Sequence, residues 1–267
     1  MGNQVKNSFD DEVINIKINE ISEYLASISM EQIPTAIREI EHDDRSGVKK
    51  LIKSYEQKYE KYQNELQRLE NMHHYENNAY AKGFELVAGI DEVGRGPLAG
   101  PVMACVIILP KGTTILDIND SKKLSEAKRN DLYNEIMEKA IDVSLGAVNN
   151  STIDDINILQ ATYQAMTIAI ENLRVKPDMV LVDAVTIPHI HIPQNPIVGG
   201  DAKSISIAAA SIIAKVTRDK IMYEYHNKYP QYSFNKNKGY GSSEHINAIK
   251  KYGLCEIHRT SFAKKFV

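Results

Sequence analysis

Two adjacent carboxylates, Asp91 and Glu92, follow an apolar, β-favouring run and precede a glycine-rich turn. A carboxylate at the end of a buried strand is costly unless a cation or hydrogen bonds compensate its charge. Neighbouring side chains point to opposite faces of an ideal strand, so both acids reach one site only if the chain bends, as Gly94 and Gly96 permit. These charges suit a metal site, and the alternative is a solvated strand end followed by a tight hairpin.

Two further carboxylates also stand at the ends of predicted elements. Asp183 follows the apolar residues 180–182, and Asp201 follows two glycines and opens a predicted helix. Hard cations such as Mg²⁺ prefer oxygen ligands, so four carboxylates from separate elements could hold two ions. Two ions roughly 4 Å apart can activate a water and stabilise the leaving oxygen of an in-line phosphoryl displacement. Each acid alone could be structural, but their shared placement favours a phosphoryl-transfer site.

The glycine-rich turn also raises the alternative of a dinucleotide site. Gly94, Gly96 and Gly100 give the spacing G-x-G-x-x-x-G, whereas the dinucleotide motif is G-x-G-x-x-G. Asp91 and Glu92 would also lie where the pyrophosphate should bind, and their charge would repel it. Both observations disfavour a dinucleotide-dependent enzyme.

The elements that must position these acids alternate between strands and helices from Phe84 onwards. The pattern predicts an α/β fold, in which a mixed sheet is flanked by helices and is followed by a helical C-terminal region. The strands expected after the first one are Val102–Leu109, Ile141–Val148 and Met179–Val182. The main helices are expected to run from the cap Ser125 to about Lys139, from Ser151 or Thr152 to Leu173, and over Ala202–Lys228.

Residues 1–82 are predicted to form a helical N-terminal extension, and residues 83–267 the domain that carries the acids. Apolar residues between Val48 and Leu69 recur at alternating spacings of three and four, which indicates a seam of about three heptads. A bundle that packs on itself is preferred to an extended dimer, and we expect a monomer. His73 and His74, close to two asparagines, indicate a polar linker, and Gly83 marks the boundary.

The charge distribution favours a polyanionic partner. The formal net charge of −3 is unevenly distributed: residues 1–80 carry −5, residues 81–202 carry −6 and residues 203–267 carry +8. Cys105 and Cys255 are far apart and form no metal-binding pattern, which is typical of a reduced, cytosolic protein. No apolar run is long enough to cross a membrane and the N-terminus lacks a signal-peptide pattern, so we expect a cytoplasmic protein without a membrane partner.

Several motifs, in the right order over residues 84–263, resemble bacterial ribonuclease HII: Gly89–Pro101, Asp120–Leu124, Leu181–Asp183, Gly200–Arg218, Lys238–Tyr240 and His258–Phe262. The resemblance implies a ribonuclease H-like fold with Mg²⁺ or Mn²⁺ as cofactor. It also implies an endonuclease acting on RNA/DNA hybrids and on single ribonucleotides in duplex DNA. Cleavage would fall on the 5′ side of the ribonucleotide and leave a 3′-hydroxyl and a 5′-phosphate.

By the same resemblance, Asp91, Glu92, Asp183 and Asp201 would bind the metal ions and be catalytic. Gly94, Arg95, Gly96 and Tyr240 would sense a ribonucleotide at its junction with DNA, where the 2′-hydroxyl distinguishes RNA. Glycines allow the backbone to approach the sugar, arginine can grip a phosphate through two hydrogen bonds, and tyrosine can stack. The expected substrate contacts also include Ser121, Lys122, Lys123, Lys203, Lys215, Lys236 and Arg259.

Two alternatives lie close to this interpretation. In ribonuclease HIII the corresponding turn typically lacks the arginine and the N-terminal domain contains a sheet, so Arg95 and the helical extension favour ribonuclease HII. A non-catalytic hybrid-binding protein on the same fold is disfavoured because all four carboxylates are present. The chain departs from the family by lacking the frequent proline after Ala263 and by its N-terminal extension, which exceeds the minimal core.

Overall fold

The computed structural model describes residues 16–267, and its contacts divide the chain into two compact units, one up to Arg68 and one from Leu69 onwards. The first unit contains α1 (Ile18–Ser27), α2 (Ile33–Ile40) and most of α3 (Ser46–Met72). The apolar faces of these three helices share one core, so the expected self-packed bundle is confirmed; its buried residues include Ile21, Leu25, Ile33, Ala36, Val48 and Tyr55.

The segment predicted as a polar linker is a helix, α4 (His74–Ala81), and that prediction was wrong. Ala79 packs in one core cluster with Val87 and Ile207, which draws the segment onto the second unit. The histidine and asparagine residues occupy the outer surface of this helix or its beginning, whereas Glu76 is buried. A polar composition therefore concealed a short packed helix, because tertiary contacts outweighed local propensity.

The second unit is built on a five-stranded sheet, which is mixed, as predicted. The strands are β1 (Val87–Val93), β2 (Val102–Ile108), β3 (Asp142–Val148), β4 (Met179–Asp183) and β5 (Gln194–Ile197), in the order β3-β2-β1-β4-β5. The two pairs β1–β2 and β2–β3 are antiparallel, and the two pairs β1–β4 and β4–β5 are parallel. The edge strand β5 was not predicted, because it is short and contains Pro196, which an edge position tolerates.

Helices cover both faces of the sheet. The long helices are α5 (Glu126–Lys139), α6 (Asn150–Glu171) and α7 (Ile205–Lys228). Helix α6 packs on one face of the sheet, against strand residues such as Ile90, and α7 packs on the other face, against residues such as Cys105. This period-two division is the ordinary consequence of strand geometry. Two details differ from prediction: the positive φ of Asn157 interrupts α6, and α7 begins at Ile205 after a 3₁₀ turn at Gly200–Ala202.

The C-terminal part of the second unit is helical and packs around its own small core. It contains α8 (Phe234–Asn237), α9 (Ser243–Tyr252) and α10 (Thr260–Ala263). Ser242 accepts a hydrogen bond from the amide of His245 and so starts α9. Over residues 16–267, none of the helices combines the length and the hydropathy that a membrane span requires.

Candidate active site

The parallel pairing of β1 with β4 brings two of the predicted acids together. Ile90 lies opposite Val182, so Asp91 and Asp183 stand side by side on the two strands; Asp183 ends β4, whereas β1 continues for two residues beyond Asp91. The longer side chain of Glu92 reaches the same place, and one carboxylate oxygen from each of the three residues lies within 4.8 Å of the other two. Within the described residues, this is the group of acidic, histidine or cysteine side chains that is suited to hold a metal ion.

Asp91 is buried and Glu92 and Asp183 are partly buried, without enough positive charge nearby to balance the three acids. Burial, followed by the neighbouring charges of Glu92 and Asp183, raises the pKa of Asp91 well above its usual range. Burial also raises the pKa of Glu92, although Arg95 opposes this effect through a hydrogen bond of 3.2 Å from Nη1 to Oε1. The site therefore holds repelling carboxylates that a divalent cation would stabilise.

The hydroxyl groups of Ser211 and Ser121 link Asp91 to a neighbouring loop. Its carboxylate accepts a hydrogen bond from the amide of Glu92 at 2.8 Å and another from the side chain of Ser211 on α7. The Ser211 hydroxyl lies 3.0 Å from that of Ser121, which is buried. Arg129 donates to the Ser121 carbonyl at 2.9 Å and so fixes this loop. Ser121 was predicted to contact substrate; it is buried, its hydroxyl lies against that of Ser211, and the residue lines the cavity beside the acids.

Asp183 is oriented by the turn that precedes α7. Its Oδ1 atom accepts a hydrogen bond of 2.7 Å from the amide of Gly200. A side chain at position 200 would begin 2.6 Å from Ile207 Cδ1 and 3.3 Å from the same Asp183 oxygen. A Cβ atom here would displace the end of the Ile207 side chain and press on the acid, so glycine suits this close approach.

Asp201, the fourth predicted ligand, lies beside the cluster of three rather than within it. Burial, then the charges of Asp120 and Asp183, raise its pKa, and Lys122 acts in the opposite direction. Lys122 Nζ lies 3.7 Å from Asp201 Oδ2, and most of the lysine side chain is exposed. Although desolvation lowers the pKa of Lys122, the surrounding acids, led by Asp120, hold it above its ordinary value.

The turn that contains Gly94–Gly96 is held by two buried arginines. Arg259 donates to the carbonyls of Gly94, Arg95 and Gly100 at 2.6, 2.9 and 3.0 Å. Arg218 on α7 donates to three more carbonyls, those of Ala99, Pro101 and Lys238. Gly94 has φ +88°, and a Cβ atom there would begin 2.3 Å from Arg218 Nε, so both space and backbone conformation require glycine.

The predicted phosphate contact of Arg259 is corrected by this geometry. Its relative exposure is 0%, and its guanidinium group is engaged by three backbone carbonyls. A guanidinium group with its donors occupied in the interior does not meet a phosphate, so Arg259 shapes the turn. The misleading signal was its position in a basic C-terminal segment, where most of the lysines are exposed.

Tyr240 stands beside this turn, as predicted for a junction-sensing group. It is 43% exposed, and its ring lies 3.8 Å from the position that a Cβ atom of Gly96 would occupy. Together with the turn it lines a cavity of about 610 Å³ whose other walls come from the acid-bearing strand and α7; the lining residues are Glu92, Val93, Gly94, Arg95, Gly96, Ser121, Lys122, Arg129, Ser211, Lys215 and Tyr240.

A pair of buried histidines holds the backbone at Tyr240. His245 Nδ1 lies 2.8 Å from the Tyr240 carbonyl, and its Nε2 lies 3.0 Å from Nε2 of His258. Burial and the neighbouring His245 lower the pKa of His258 to about 4. A hydrogen bond between two Nε2 atoms requires one of them to lack a proton, which agrees with that direction.

The other lysines predicted to contact phosphate differ in how exposed they are and in whether their amines are already paired. Lys123 and Lys236 are exposed, and Lys203 is exposed although its amine donates to the Val198 carbonyl at 2.7 Å. Lys215 lines the cavity, but it is partly buried and forms an ion pair of 2.8 Å with Asp219.

Comparisons with known proteins agree with this fold. The family model described as Ribonuclease HII matches residues 88–265, and that of the Ribonuclease HII N-terminal domain matches residues 17–80. A curated Ribonuclease HII from Clostridioides difficile is 52% identical over 94% of this chain and 98% of its own length. One from Ruminiclostridium cellulolyticum is 46% identical over the full length of both proteins.

Among solved structures, the ribonuclease H2 from Pyrococcus horikoshii has a TM-score of 0.56 at 28% identity, over 68% of this chain and 96% of that one. The fold and the acidic site thus define a ribonuclease H-like, metal-dependent nuclease. The chain belongs to the ribonuclease HII family, which makes it an endoribonuclease of the type 2 ribonuclease H class.

Two residues of the site, and one buried acid outside it, received no role from the sequence. Ser211 and Arg218 lie inside the Gly200–Arg218 motif, and a lone arginine after an alanine- and isoleucine-rich helical run was a signal of a buried, paired charge. Glu76 lies in the segment predicted as a linker, and no local pattern distinguished it from the other acids of the extension.

Proposed function

We propose that this chain hydrolyses the RNA strand of RNA/DNA hybrids and incises duplex DNA on the 5′ side of a single embedded ribonucleotide. The products would carry a 3′-hydroxyl and a 5′-phosphate. The observation that carries the proposal is the position of the acid cluster beside a cavity lined by Gly94–Gly96 and Tyr240. Substrate entering that cavity would meet the carboxylates and the turn together.

The donor set fits two divalent cations, Mg²⁺ or Mn²⁺. Asp91, Glu92 and Asp183 offer close oxygen ligands whose mutual repulsion a cation would relieve, and Asp201 lies at the side of Asp183. We assign these four carboxylates as the ligands. When bound, the ions would supply an activated water for attack on the phosphorus and stabilise the 3′-oxygen that leaves it.

The protein itself supplies orientation. The Gly200 amide and the Ser211 hydroxyl hold Asp183 and Asp91 in place through hydrogen bonds. Arg95, now paired with Glu92, is half-exposed and can turn its remaining donors to a phosphate. The carbonyls and amides of the turn, fixed from behind by Arg218 and Arg259, can approach a 2′-hydroxyl without a side chain between them.

The test compares three substrates: a DNA duplex with one ribonucleotide, the same duplex in DNA alone, and a long RNA/DNA hybrid. With Mg²⁺ or Mn²⁺ we expect one cut at the ribonucleotide, cleavage of the hybrid and none of the all-DNA duplex. Gel mobility and ligation of the products determine which ends are formed. Cleavage in excess chelator, or of the long hybrid alone, would contradict the proposal.

Asp91→Asn should be inactive with its fold intact, and Asp131→Asn, on the exposed surface of α5, is the matched control. We further propose that the enzyme acts in the cytoplasm as a monomer, with residues 1–82 as an extension to the catalytic domain. The unpaired cysteines Cys105 and Cys255 support a reducing compartment. Gel filtration at several concentrations tests the monomer.

A further inference from the structure

Glu76 is a buried carboxylate outside the acid cluster, and three donors converge on one of its oxygens. Its Oε1 atom accepts hydrogen bonds from the Ser204 hydroxyl at 2.6 Å, the Ser206 hydroxyl at 2.6 Å and the Ser206 amide at 3.0 Å. Only 3% of the residue is exposed. Its other oxygen, Oε2, is buried and finds no partner among the described residues. Burying an acid costs free energy, and the hydrogen bonds to Oε1 compensate that cost only in part.

These contacts complete the beginning of α7. The first amides of a helix have no partner within it, and acceptors from elsewhere must satisfy them. Ser204 caps the helix in the usual way, by accepting from the amide of Ile207 at 3.2 Å. Glu76 satisfies the amide of Ser206 and fixes the hydroxyl of the cap residue itself. A carboxylate at this end also interacts favourably with the helix dipole.

The beginning of α7 is continuous with the proposed metal ligands. The amide of Ser204 bonds to the Gly200 carbonyl at 2.8 Å, and the amide of Gly200 is the donor to Asp183. Asp201 lies between those two residues. On the other side, a Cβ atom of Gly89 would begin 2.3 Å from the Ser206 backbone, so α7 lies directly on the strand that carries Asp91. A shift of the Ser204–Ser206 segment would therefore be transmitted to both sides of the cluster.

Glu76 is itself held by a fixed helix. Ala79, one turn further along α4, packs in the cluster that contains Ile207, and His73 Nε2 lies 3.0 Å from the Thr113 carbonyl. The carboxylate therefore has a defined position from which to orient the helix end. This distinguishes Glu76 from a surface acid that happens to meet a helix N-terminus.

We propose that Glu76 is a positioning residue for the metal site: it orders the start of α7 and thereby the turn that presents Asp201 and the amide bound to Asp183. The inference rests on the proposed function insofar as the carboxylates bind the ions. It assigns a catalytic contribution to α4, which precedes the catalytic domain in sequence. Replacing residues that hold metal ligands in place through hydrogen bonds typically weakens metal binding or activity by about 10- to 100-fold.

The experiment compares the full-length wild type with Glu76→Ala, Glu76→Gln and Asn77→Ala. Asn77 is exposed on the same helix and serves as the matched control. Mn²⁺ affinity of the free enzyme is measured from the electron paramagnetic resonance of unbound Mn²⁺. The values of kcat and KM on a single-ribonucleotide duplex and the Tm are measured alongside.

We expect Glu76→Ala to raise the Kd for Mn²⁺ about tenfold or more and to lower kcat, with KM for the nucleic acid unchanged. Glu76→Gln keeps an acceptor oxygen and should retain most of the affinity, and Asn77→Ala should match the wild type. A folded Glu76→Ala enzyme with wild-type Mn²⁺ affinity would overturn the proposal, even if its Tm were lower. A defect confined to KM would overturn it too.

A second variant keeps the test decisive if Glu76→Ala does not fold. Ser206→Ala removes one donor and leaves the carboxylate in place, so it should raise the Kd for Mn²⁺ about fivefold; unchanged affinity would contradict the proposal. A wild type that binds Mn²⁺ but does not cut the ribonucleotide duplex would refute the proposed function, while the Mn²⁺ measurements would still decide the role of Glu76.

Discussion

Two groups of buried charges lie next to each other in this enzyme and are treated in opposite ways. Arg218 and Arg259 each direct their donors at three backbone carbonyls, so that their charge is solvated by the protein. Asp91, Glu92 and Asp183 converge within 4.8 Å with few donors between them. The arginines hold a turn in place, whereas the negative charge of the acids is not balanced by nearby positive groups. Incomplete compensation of a buried charge is thus the feature that separates a binding group from a structural one.

The largest effect should follow from removing one of the uncompensated acids. Asp91→Asn or Asp183→Asn keeps the shape and removes a charged ligand, so cleavage should fall by about 1,000-fold or more while substrate binding is largely kept. Single-turnover cleavage and a binding assay in chelator measure the two quantities. Activity near that of the wild type at saturating Mg²⁺ would show that the uncompensated acids are not essential metal ligands. Asp201→Asn should be milder, because it lies beside the cluster.

Removing one of the compensated arginines should affect stability first. Arg259→Ala leaves three carbonyls without their donors, and we expect a loss of about 3 kcal/mol in the free energy of unfolding. Urea denaturation followed by circular dichroism measures it. Lys264→Ala, an exposed basic residue nearby in sequence, should cost little. If Arg259→Ala were as stable as Lys264→Ala but bound nucleic acid poorly, the original phosphate-binding prediction would be restored.

Divalent cations should stabilise the folded enzyme by satisfying the acids. At a metal concentration 100 times the Kd, binding to the folded state alone contributes about 2.7 kcal/mol. We expect the Tm of the wild type to rise with Mg²⁺ or Mn²⁺ and that of Asp91→Asn to respond much less. In chelator, Asp91→Asn should melt at or above the wild-type temperature, since it removes repulsion. A lower melting point in chelator would mean that the acids are compensated after all.

Variants of Tyr240 test the role of the turn that Arg218 and Arg259 hold in place. Tyr240→Ala removes a stacking surface whose loss is typically worth about 1–3 kcal/mol, so cleavage at a single ribonucleotide should fall about tenfold or more. Tyr240→Phe isolates the contribution of the hydroxyl. Cleavage rates on the single-ribonucleotide duplex and on a long hybrid are compared for both variants. Unchanged single-site cleavage by Tyr240→Ala would remove junction sensing from this residue.

The smallest effect concerns His258, which is buried in the neutral form. Its pKa is about 4 in the folded enzyme against about 6.5 when unfolded, so the unfolded state takes up the proton first. Stability is therefore lost as the pH falls from about 6.5 towards 4. The raised pKa values of Asp91 and Glu92 act in the opposite direction, so the useful quantity is the difference between the wild type and His258→Gln. That variant should show a flatter fall of Tm with acid, and an equal slope would contradict the assignment.

The sequence predicted most of the sheet because its central strands are continuous apolar runs. Residues 102–108 and 179–183 were predicted almost to their ends, and the order of strands and helices gave the mixed sheet. β5 escaped prediction because its pattern is short, polar and interrupted by proline. α4 escaped because its buried positions, Glu76 and Ala79, do not form an apolar stripe.

The acids were identifiable because each follows an element end, but their spacing was not. Whether Asp201 joins the other three depends on the 3₁₀ turn that contains it, and no local pattern determined that turn. The role of Arg259 depended on where its side chain points, and composition alone suggested the opposite. The predicted boundary after residue 82 stays a prediction, while the contacts divide the described chain between Arg68 and Leu69.

The pairing of β1 with β4 has a consequence for the order of folding. Ile90 and Val182 are 92 positions apart, and the intervening chain supplies β2, β3 and two long helices. Contacts between distant residues require loop closure before they gain any stabilisation, and they therefore tend to form late. A growing or partly folded chain would carry Asp91 without Asp183 beside it. Nuclease activity would then appear only when the central sheet closes, and incomplete chains would be unable to cut nucleic acid.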